Sequence, residues 1–192
     1  MLGDVAGKGS PAALLMALLL AMLRTLATDD LPPAQLVARL NRLVHEQTPG
    51  SRFITMFLAI FEPRTGELTY VNAGQTPPLL RRRTGDIQQL LAGGMALGMF
   101  DGATYEAERV SLGAGDLLVM YSDGVTEAEN ASGVPFEDSG LRSVLAAHPT
   151  AAVGDVGRLV FRAVEQYVGD TKLADDLTVL ALRRLPPPAP GS

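Results

Sequence analysis

Aspartates next to apolar runs are the residues of this chain whose type and spacing point most clearly to chemistry. Asp4 lies in a glycine-rich stretch, Asp123 follows a run of apolar residues, and Asp175 and Asp176 precede another such run. A carboxylate at the end of a buried strand is held rigidly while its oxygens reach a cleft, and Mg²⁺ and Mn²⁺ prefer oxygen ligands. A single aspartate of this kind is most often a turn residue. Three such positions favour a divalent-metal site.

The elements that must position these aspartates come in blocks of one type. Residues 2–10 read as a glycine-punctuated turn, with Ser10 as N-cap and Pro11 at the first position of a helix. Apolar periodicity predicts helices over 11–28, 33–47, 138–147 and 150–168. Alternating or continuous apolar runs predict strands over 53–62, 68–73, 79–83, 87–91, 105–112, 117–121 and 177–182, the last two buried. Helices and strands in separate blocks predict an α+β fold over residues 1–185, followed by a disordered Pro-rich tail at 186–192.

The helix at 11–28 is apolar nearly all round, which predicts burial on more than one face. Its apolar run after Lys8 could also belong to a signal peptide. The uninterrupted run covers only residues 12–23, however, and a membrane span needs about 18 apolar residues or more. A buried core helix is therefore the favoured interpretation, and no membrane partner is predicted.

Composition excludes several classes of function. The net charge is −5, and a protein that neutralises many nucleic-acid phosphates needs a basic surface. The dense basic cluster Arg81–Arg83 is interpreted as a solvated hairpin end, with a docking patch for an acidic or phosphorylated partner as the alternative. The absence of cysteine rules out disulfides, zinc–thiolate sites and a cysteine nucleophile, and it fits a cytoplasmic protein.

Five motifs in a fixed order resemble the bacterial stage II sporulation protein E-type phosphatases, which belong to the protein phosphatase 2C-like (PPM) family. They are the stretches 3–14, 71–79, 97–98, 115–118 together with 121–127, and 175–178. The second reads Asn-Ala-Gly-Gln-Thr-Pro-Pro, with Gln75 where the family usually has histidine. The resemblance covers residues 2–185, and five ordered motifs are far more specific than any one alone.

The resemblance implies a four-layer α/β/β/α sandwich of two antiparallel sheets flanked by helices, with two Mn²⁺ or Mg²⁺ ions at one edge. Asp4 resembles the aspartate that bridges both metals, and the Val5 carbonyl resembles the adjoining backbone ligand. Asp123 and Asp175 resemble the remaining carboxylate ligands, and Asp176 occupies the neighbouring place. Gly124 is interpreted as the residue that lets the chain turn tightly beside Asp123.

The reaction that the resemblance implies is hydrolysis of phosphoserine or phosphothreonine on a signalling protein, such as an anti-sigma-factor antagonist. A hydroxide shared by two metals would be the nucleophile. The resemblance also leaves room for an upstream sensor domain or a dimer partner. Lys8 could contact phosphate, although a solvated loop lysine is the favoured interpretation.

The sequence departs from the family pattern at its beginning, where relatives carry a Gly-Gly-Asp motif with a further metal aspartate. We therefore expect an N-terminally truncated domain with exposed sheet edges, an exposed side on the 11–28 helix, and low or no phosphatase activity by itself. The alternative function is a binding or regulatory module. A P-loop at residues 7–10 is rejected, because the spacing Gly-x4-Gly-Lys-Ser/Thr is not met.

Overall fold

The computed structural model describes residues 1–48 and 52–186. The predicted tail at 186–192 therefore lies, except for Pro186, outside the described residues. The chain divides into two compact units. The first unit comprises residues 1–75 and 91–111, and the second comprises residues 76–90 and everything from residue 112 onward.

In chain order the elements are β1 (Leu2–Val5), α1 (Ser10–Leu26), α2 (Pro33–Gln47), β2 (Ile54–Glu62), β3 (Glu67–Ala73), β4 (Leu79–Arg81), β5 (Ile87–Gln89), β6 (Gly93–Gly94), β7 (Glu108–Ser111), β8 (Leu117–Tyr121), α3 (Asp123–Thr126), α4 (Glu137–Ala147), α5 (Val153–Val168) and β9 (Val179–Arg183).

The first unit is a sheet with the strand order β1-β2-β3-β6, and β7 also pairs with β3. The pairs are antiparallel except for the short parallel pair β3–β6. Helices α1 and α2 share one hydrophobic core with β1, β2 and β3. Residues of α2 enter that core at helical spacing (Leu36, Val37, Leu40 and Val44). This spacing is the pattern from which the helix was predicted.

Helix α1 is less buried than its composition predicts. Its buried residues are Leu15, Leu19 and Leu26, whereas Leu14 is 71% exposed. The predicted burial on more than one face is wrong, because an apolar run does not specify how many of its faces other elements cover. The exposed side predicted for this helix is present, since Leu18 and Leu20 are exposed as well. The helix also begins at Ser10 with Gly9 as its N-cap, so the predicted Ser10 cap is wrong as well.

The second unit is an antiparallel sheet with the strand order β5-β4-β8-β9. The five residues of β8 are all buried, as predicted for an interior strand. Helices α4 and α5 pack with this sheet in a second core, to which α5 contributes residues spaced by four (Val156, Val160, Val164 and Val168). Strand β9 was predicted to be buried but is only half-buried, because it is an edge strand that pairs with β8 alone among the described strands.

The predicted α+β class, with two antiparallel sheets flanked by helices, is confirmed. Residues 2–5 form a strand rather than part of a turn, because pairing with β2 stabilises an extended conformation that glycine and aspartate do not favour by themselves. The short elements α3 and β6 were not predicted. No helix in the described part of the chain is long and apolar enough to cross a membrane.

The arginine cluster lies at the predicted hairpin, but the hairpin end is not uniformly solvated. Arg81 is buried in β4, with 4% of its surface exposed. Arg82 forms an ion pair with the buried Asp116 at 2.9 Å, and Arg83 is exposed. Although burial by itself would raise the pKa of Asp116, the bond from Arg82 and backbone bonds from Arg83 and Gly113 hold it below its ordinary value.

Candidate active site

The turn after β8 carries Asp123. One carboxylate oxygen of Asp123 accepts a hydrogen bond from the Gly124 N–H at 2.9 Å. The Asp123 carbonyl accepts bonds from the Glu127 N–H at 2.8 Å and from the Thr126 hydroxyl at 3.1 Å. These bonds fix both the backbone and one side-chain oxygen of Asp123. The half-buried carboxylate keeps its second oxygen for other ligands.

The turn before β9 carries Asp175 and Asp176, and hydrogen bonds fasten it to the turn after β8. The Ser122 N–H donates to the Thr178 carbonyl, and the Thr178 N–H donates to the Ser122 hydroxyl, each at 3.0 Å. The same hydroxyl donates to the Asp176 carbonyl at 3.0 Å. The structure therefore fastens the turn that carries Asp123 to the turn that carries Asp175 and Asp176, at one end of the second unit's sheet.

Gly124 lies where these two turns touch. A Cβ atom on Gly124 would lie 2.4 Å from the Asp176 carbonyl oxygen and 3.4 Å from the Asp175 Cβ. The residue is helical and is not among the glycines with positive φ. Its backbone conformation, beside the tight turn at Asp123, is therefore one that other residues also adopt. Glycine is required here because the turn before β9 approaches its Cα too closely for any side chain.

A cavity of about 430 Å³ opens beside Asp175. It is lined by Gly124, Glu127, Ala128, Glu129, Pro135, Thr171, Lys172, Ala174 and Asp175. Three of these residues carry carboxylates and one, Lys172, carries an ammonium group. Lys172 was not predicted from the sequence. Its position three residues before Asp175, in a polar loop, is the signal that could have identified it.

Asp4 and Val5 lie in the first unit, on β1. Asp4 is exposed and pairs with Thr55 of β2, whereas Val5 is buried and pairs with Ile54. The Thr55 hydroxyl lies 3.5 Å from the Asp4 carbonyl and donates a stronger bond, at 2.6 Å, to the Gln75 side-chain oxygen. Strand β1 at Asp4 is thus held by pairing with Thr55, whose hydroxyl in turn bonds to Gln75.

Gln75 is held in turn by the buried Asn72. The Asn72 side chain accepts a bond from the Gln75 N–H at 2.8 Å and donates to the Gln75 carbonyl at 2.9 Å. The stretch that resembles the family's Asn-Ala-Gly-His segment therefore forms a closed hydrogen-bonded turn beside β2. Gln75 takes the histidine position as a buried residue that accepts a bond from Thr55.

The predicted ligands offer the oxygen donors that Mg²⁺ and Mn²⁺ prefer. They are divided between the units: Asp4 and Val5 in the first, and Asp123, Asp175 and Asp176 in the second. Over residues 1–48 and 52–186, no group of three or more His, Cys, Asp or Glu side chains is placed to hold a metal ion. The donor type therefore fits a divalent cation, while a complete carboxylate cluster is not formed.

The family model for stage II sporulation protein E (SpoIIE) matches residues 1–185 of this chain. The chain belongs to the SpoIIE family. Among curated relatives of this SpoIIE-family chain, the phosphoserine phosphatase RsbU of Bacillus subtilis is 31% identical over 184 residues. That match covers 95% of the chain and 54% of RsbU, so the chain spans about half the length of this relative.

Solved structures share the fold of the SpoIIE-family chain. The RsbU and RsbW domains of Rv1364c from Mycobacterium tuberculosis match with a TM-score of 0.78 and 28% identity, over 97% of this chain and 53% of that one. The SiaA-PP2C domain of Pseudomonas aeruginosa matches with a TM-score of 0.81 and 20% identity, and the match covers 94% of this chain and 72% of that one. A structure of RsbX in complex with magnesium matches with a TM-score of 0.66 and 18% identity, and the match covers 93% of this chain and 77% of that one. The chain is thus a SpoIIE-family domain that shares the fold of the SiaA-PP2C domain.

Proposed function

We propose that this chain is a metal-dependent protein serine/threonine phosphatase that acts in the bacterial cytoplasm. Its substrate would be a phosphoserine or phosphothreonine on a signalling protein, such as an anti-sigma-factor antagonist. The observation that carries the proposal is the pair of turns bearing Asp123 and Asp175, which are fastened together beside a cavity of about 430 Å³. The relation to a phosphoserine phosphatase, RsbU, supports the substrate class.

Asp123 and Asp175 would hold Mn²⁺ or Mg²⁺ through carboxylate oxygens, and Asp176 would support the same contact. Asp4 and the Val5 carbonyl are proposed as further ligands on the resemblance described above. Two divalent cations, when bound, would acidify a water molecule and offset negative charge on the phosphoryl oxygens. The neighbour RsbX, whose structure contains magnesium, supports this choice of metal class.

The excess of carboxylates in the cavity supports the proposal that phosphate binding there needs a metal ion. Glu127, Glu129 and Asp175 line it, against the single ammonium group of Lys172. A phosphorylated side chain carries a charge of about −1.5 to −2 at neutral pH and would be repelled by three carboxylates. Divalent cations held at Asp175 would reverse that repulsion. Lys172 is the residue of the chain that we expect to contact the phosphoryl oxygens directly.

The proposal is tested by measuring phosphate release from a phosphoserine peptide during a Mn²⁺ titration of the purified chain. Lys172→Ala should raise KM several-fold with a smaller effect on kcat, because the ammonium group binds the phosphoryl group in the ground state as well. Lys8→Ala is the matched control, because Lys8 is an exposed loop lysine and should leave KM unchanged. Equal KM values for the two variants would contradict the proposal that Lys172 contacts the phosphoryl group.

A second candidate function is a binding or regulatory module with impaired catalysis. The observation that favours it is the lack of a complete carboxylate cluster in the described part of the chain. In this case the chain would bind the phosphopeptide without releasing phosphate, and turnover would require a further domain or a dimer partner. Turnover that depends on Mn²⁺ and is abolished by Asp123→Ala would rule this candidate out.

A further inference from the structure

The end of the second unit's sheet that lies away from Asp123 is rich in arginine. In the β8–β9 ladder, Val179 pairs with Tyr121 close to Asp123, whereas Arg183 pairs with Leu117 at the opposite end. The distance between these two ends is about 14 Å along the strands. Any ligand site at the arginine-rich end is therefore separate from the candidate active site.

Arginines flank β8 on both sides at this end. Leu117 of β8 pairs with Arg81 of β4 on one side and with Arg183 of β9 on the other. The carbonyl of the preceding residue, Asp116, accepts a hydrogen bond from the Arg184 N–H at 3.2 Å. The stretches 81–86, 113–116 and 183–184 together contain five arginines and two aspartates, which is an excess of three positive charges.

Both aspartates of this end are engaged with other groups. The buried Asp116 accepts a bond from the Arg83 backbone N–H through one carboxylate oxygen and from Arg82 Nη1 through the other, each at 2.9 Å. The Asp86 carboxylate accepts a bond from the Thr84 hydroxyl at 2.7 Å. Neither carboxylate forms an ion pair with the Arg83 guanidinium.

A cavity of about 500 Å³ opens at this end of the sheet. Arg83 is exposed there, and none of the described residues forms an ion pair or a hydrogen bond with its guanidinium. Its stem lies across Gly115, where φ is +91° and an added Cβ would lie 3.0 Å from Arg83 Cδ. The turn thus supports the Arg83 stem and leaves the guanidinium available to a ligand. The cavity is lined by Arg82, Arg83, Thr84, Gly113, Ala114 and Asp116.

We propose that this cavity is a docking surface for an acidic segment of a partner protein, rich in aspartate and glutamate. The planar guanidinium of Arg83 offers paired N–H donors that match the two oxygens of a carboxylate. In a chain whose net charge is −5, the local excess of positive charge steers an acidic segment to this one place. Nucleic acid fits less well, because neutralising many phosphates needs a more extensive basic surface.

The test uses the whole chain in EDTA, so that neither metal binding nor turnover contributes. The probe is a fluorescein-labelled peptide of alternating Asp and Gly residues. Its anisotropy should rise saturably with the concentration of the chain, and added salt should weaken the binding. A peptide with Asn in place of every Asp is the control for the probe and should not bind.

Arg83→Gln should weaken binding of the Asp-Gly peptide by about tenfold, the cost of losing a charge-assisted hydrogen bond. Arg64→Gln is the matched control, because it removes the same charge from an exposed arginine at the β2–β3 turn of the first unit, and it should leave binding unchanged. Arg83→Lys keeps the charge but loses the planar fork, so its affinity should lie between those of the wild type and Arg83→Gln.

The docking surface does not depend on the proposed phosphatase function, so Asp123→Ala should bind the peptide as the wild type does. The proposal is overturned if the wild-type chain shows no saturable binding, if Arg83→Gln and Arg64→Gln behave alike, or if the chain binds phosphatidylserine vesicles but not the peptide. Sedimentation should show the same oligomeric state for the wild type and Arg83→Gln. A wild-type dimer that dissociates in Arg83→Gln would assign the surface to a second copy of the chain and contradict the proposal.

Discussion

The two regions that carry the candidate metal ligands are supported in different ways. In the first unit, Asp4 lies within β1, which pairs with β2 alone among the described strands. In the second unit, Asp123 and Asp175 lie on turns that cross-link each other through three hydrogen bonds of Ser122. The difference teaches that residues predicted to serve one metal site can be positioned by different kinds of hydrogen bonding. The second unit holds its carboxylates by bonds between turns, and the first holds its carboxylate by strand pairing.

The largest effect that we expect is the loss of activity in Asp123→Ala. Removing a proposed metal ligand from the hydrogen-bonded pair of turns should lower kcat/KM by about a hundredfold or more, since even residues that only orient ligands contribute about 10- to 100-fold. The measurement is phosphate release at saturating Mn²⁺. Asp101→Ala, an exposed aspartate of the first unit, is the control and should retain full activity.

Gly124→Ala tests whether the close approach of the two turns is essential. The new Cβ would lie 2.4 Å from the Asp176 carbonyl, so the variant should lose about 1–3 kcal/mol of unfolding free energy. Gly154→Ala in α5 is the matched control, because nothing lies within 4 Å of its Cβ position. That control should gain up to about 1 kcal/mol, since alanine is the better helix former. Similar urea-unfolding midpoints for both variants would contradict the close approach.

Ser122→Ala and Thr55→Ala compare the hydroxyl groups that support the two regions. The Ser122 hydroxyl both accepts from the Thr178 N–H and donates to the Asp176 carbonyl, whereas Thr55 donates mainly to Gln75. Ser122→Ala should therefore cost about 1–3 kcal/mol, and Thr55→Ala about 1 kcal/mol. Chemical denaturation gives both values. A larger cost for Thr55→Ala would reverse the comparison.

Alkaline titration tests the first unit, and its effect is confined to pH values above 10.0. Burial and the hydrogen bond to Glu108 raise the pKa of Tyr70 to about 12. Because the folded pKa lies above the ordinary value of 10.0, this contribution to stability is complete below pH 10 and is lost as the pH rises through 12. Tyr70→Phe should flatten the fall in melting temperature above pH 10. An unchanged slope would show that Tyr70 titrates normally.

Much of the fold follows from periodicity. The bounds of α2 and β8 were predicted from the sequence, because one shows clear helical spacing and the other is a continuous apolar run. The strand β1 and the short helix α3 were missed. Their residues have weak propensities of their own, and both form where other parts of the chain supply hydrogen bonds.

The residue types of the candidate site could be predicted from the sequence, but the hydrogen bonds that hold its turns together could not. The aspartates stand out in the sequence, yet the bonds between Ser122 and Thr178 span 56 positions, which no local pattern reveals. Burial of Arg81 within a basic cluster was equally hidden, since a run of arginines normally indicates a solvated surface. Both features depend on which strands become neighbours in the sheet.

Direct measurement of Mn²⁺ binding by electron paramagnetic resonance tests the central claim, that the turns carrying Asp123 and Asp175 hold a divalent cation. The wild-type chain should bind Mn²⁺ saturably. Asp123→Ala and Asp175→Ala should each weaken binding by about tenfold or more, while Asp101→Ala should match the wild type. Unchanged Mn²⁺ affinity in both Asp123→Ala and Asp175→Ala would contradict the account.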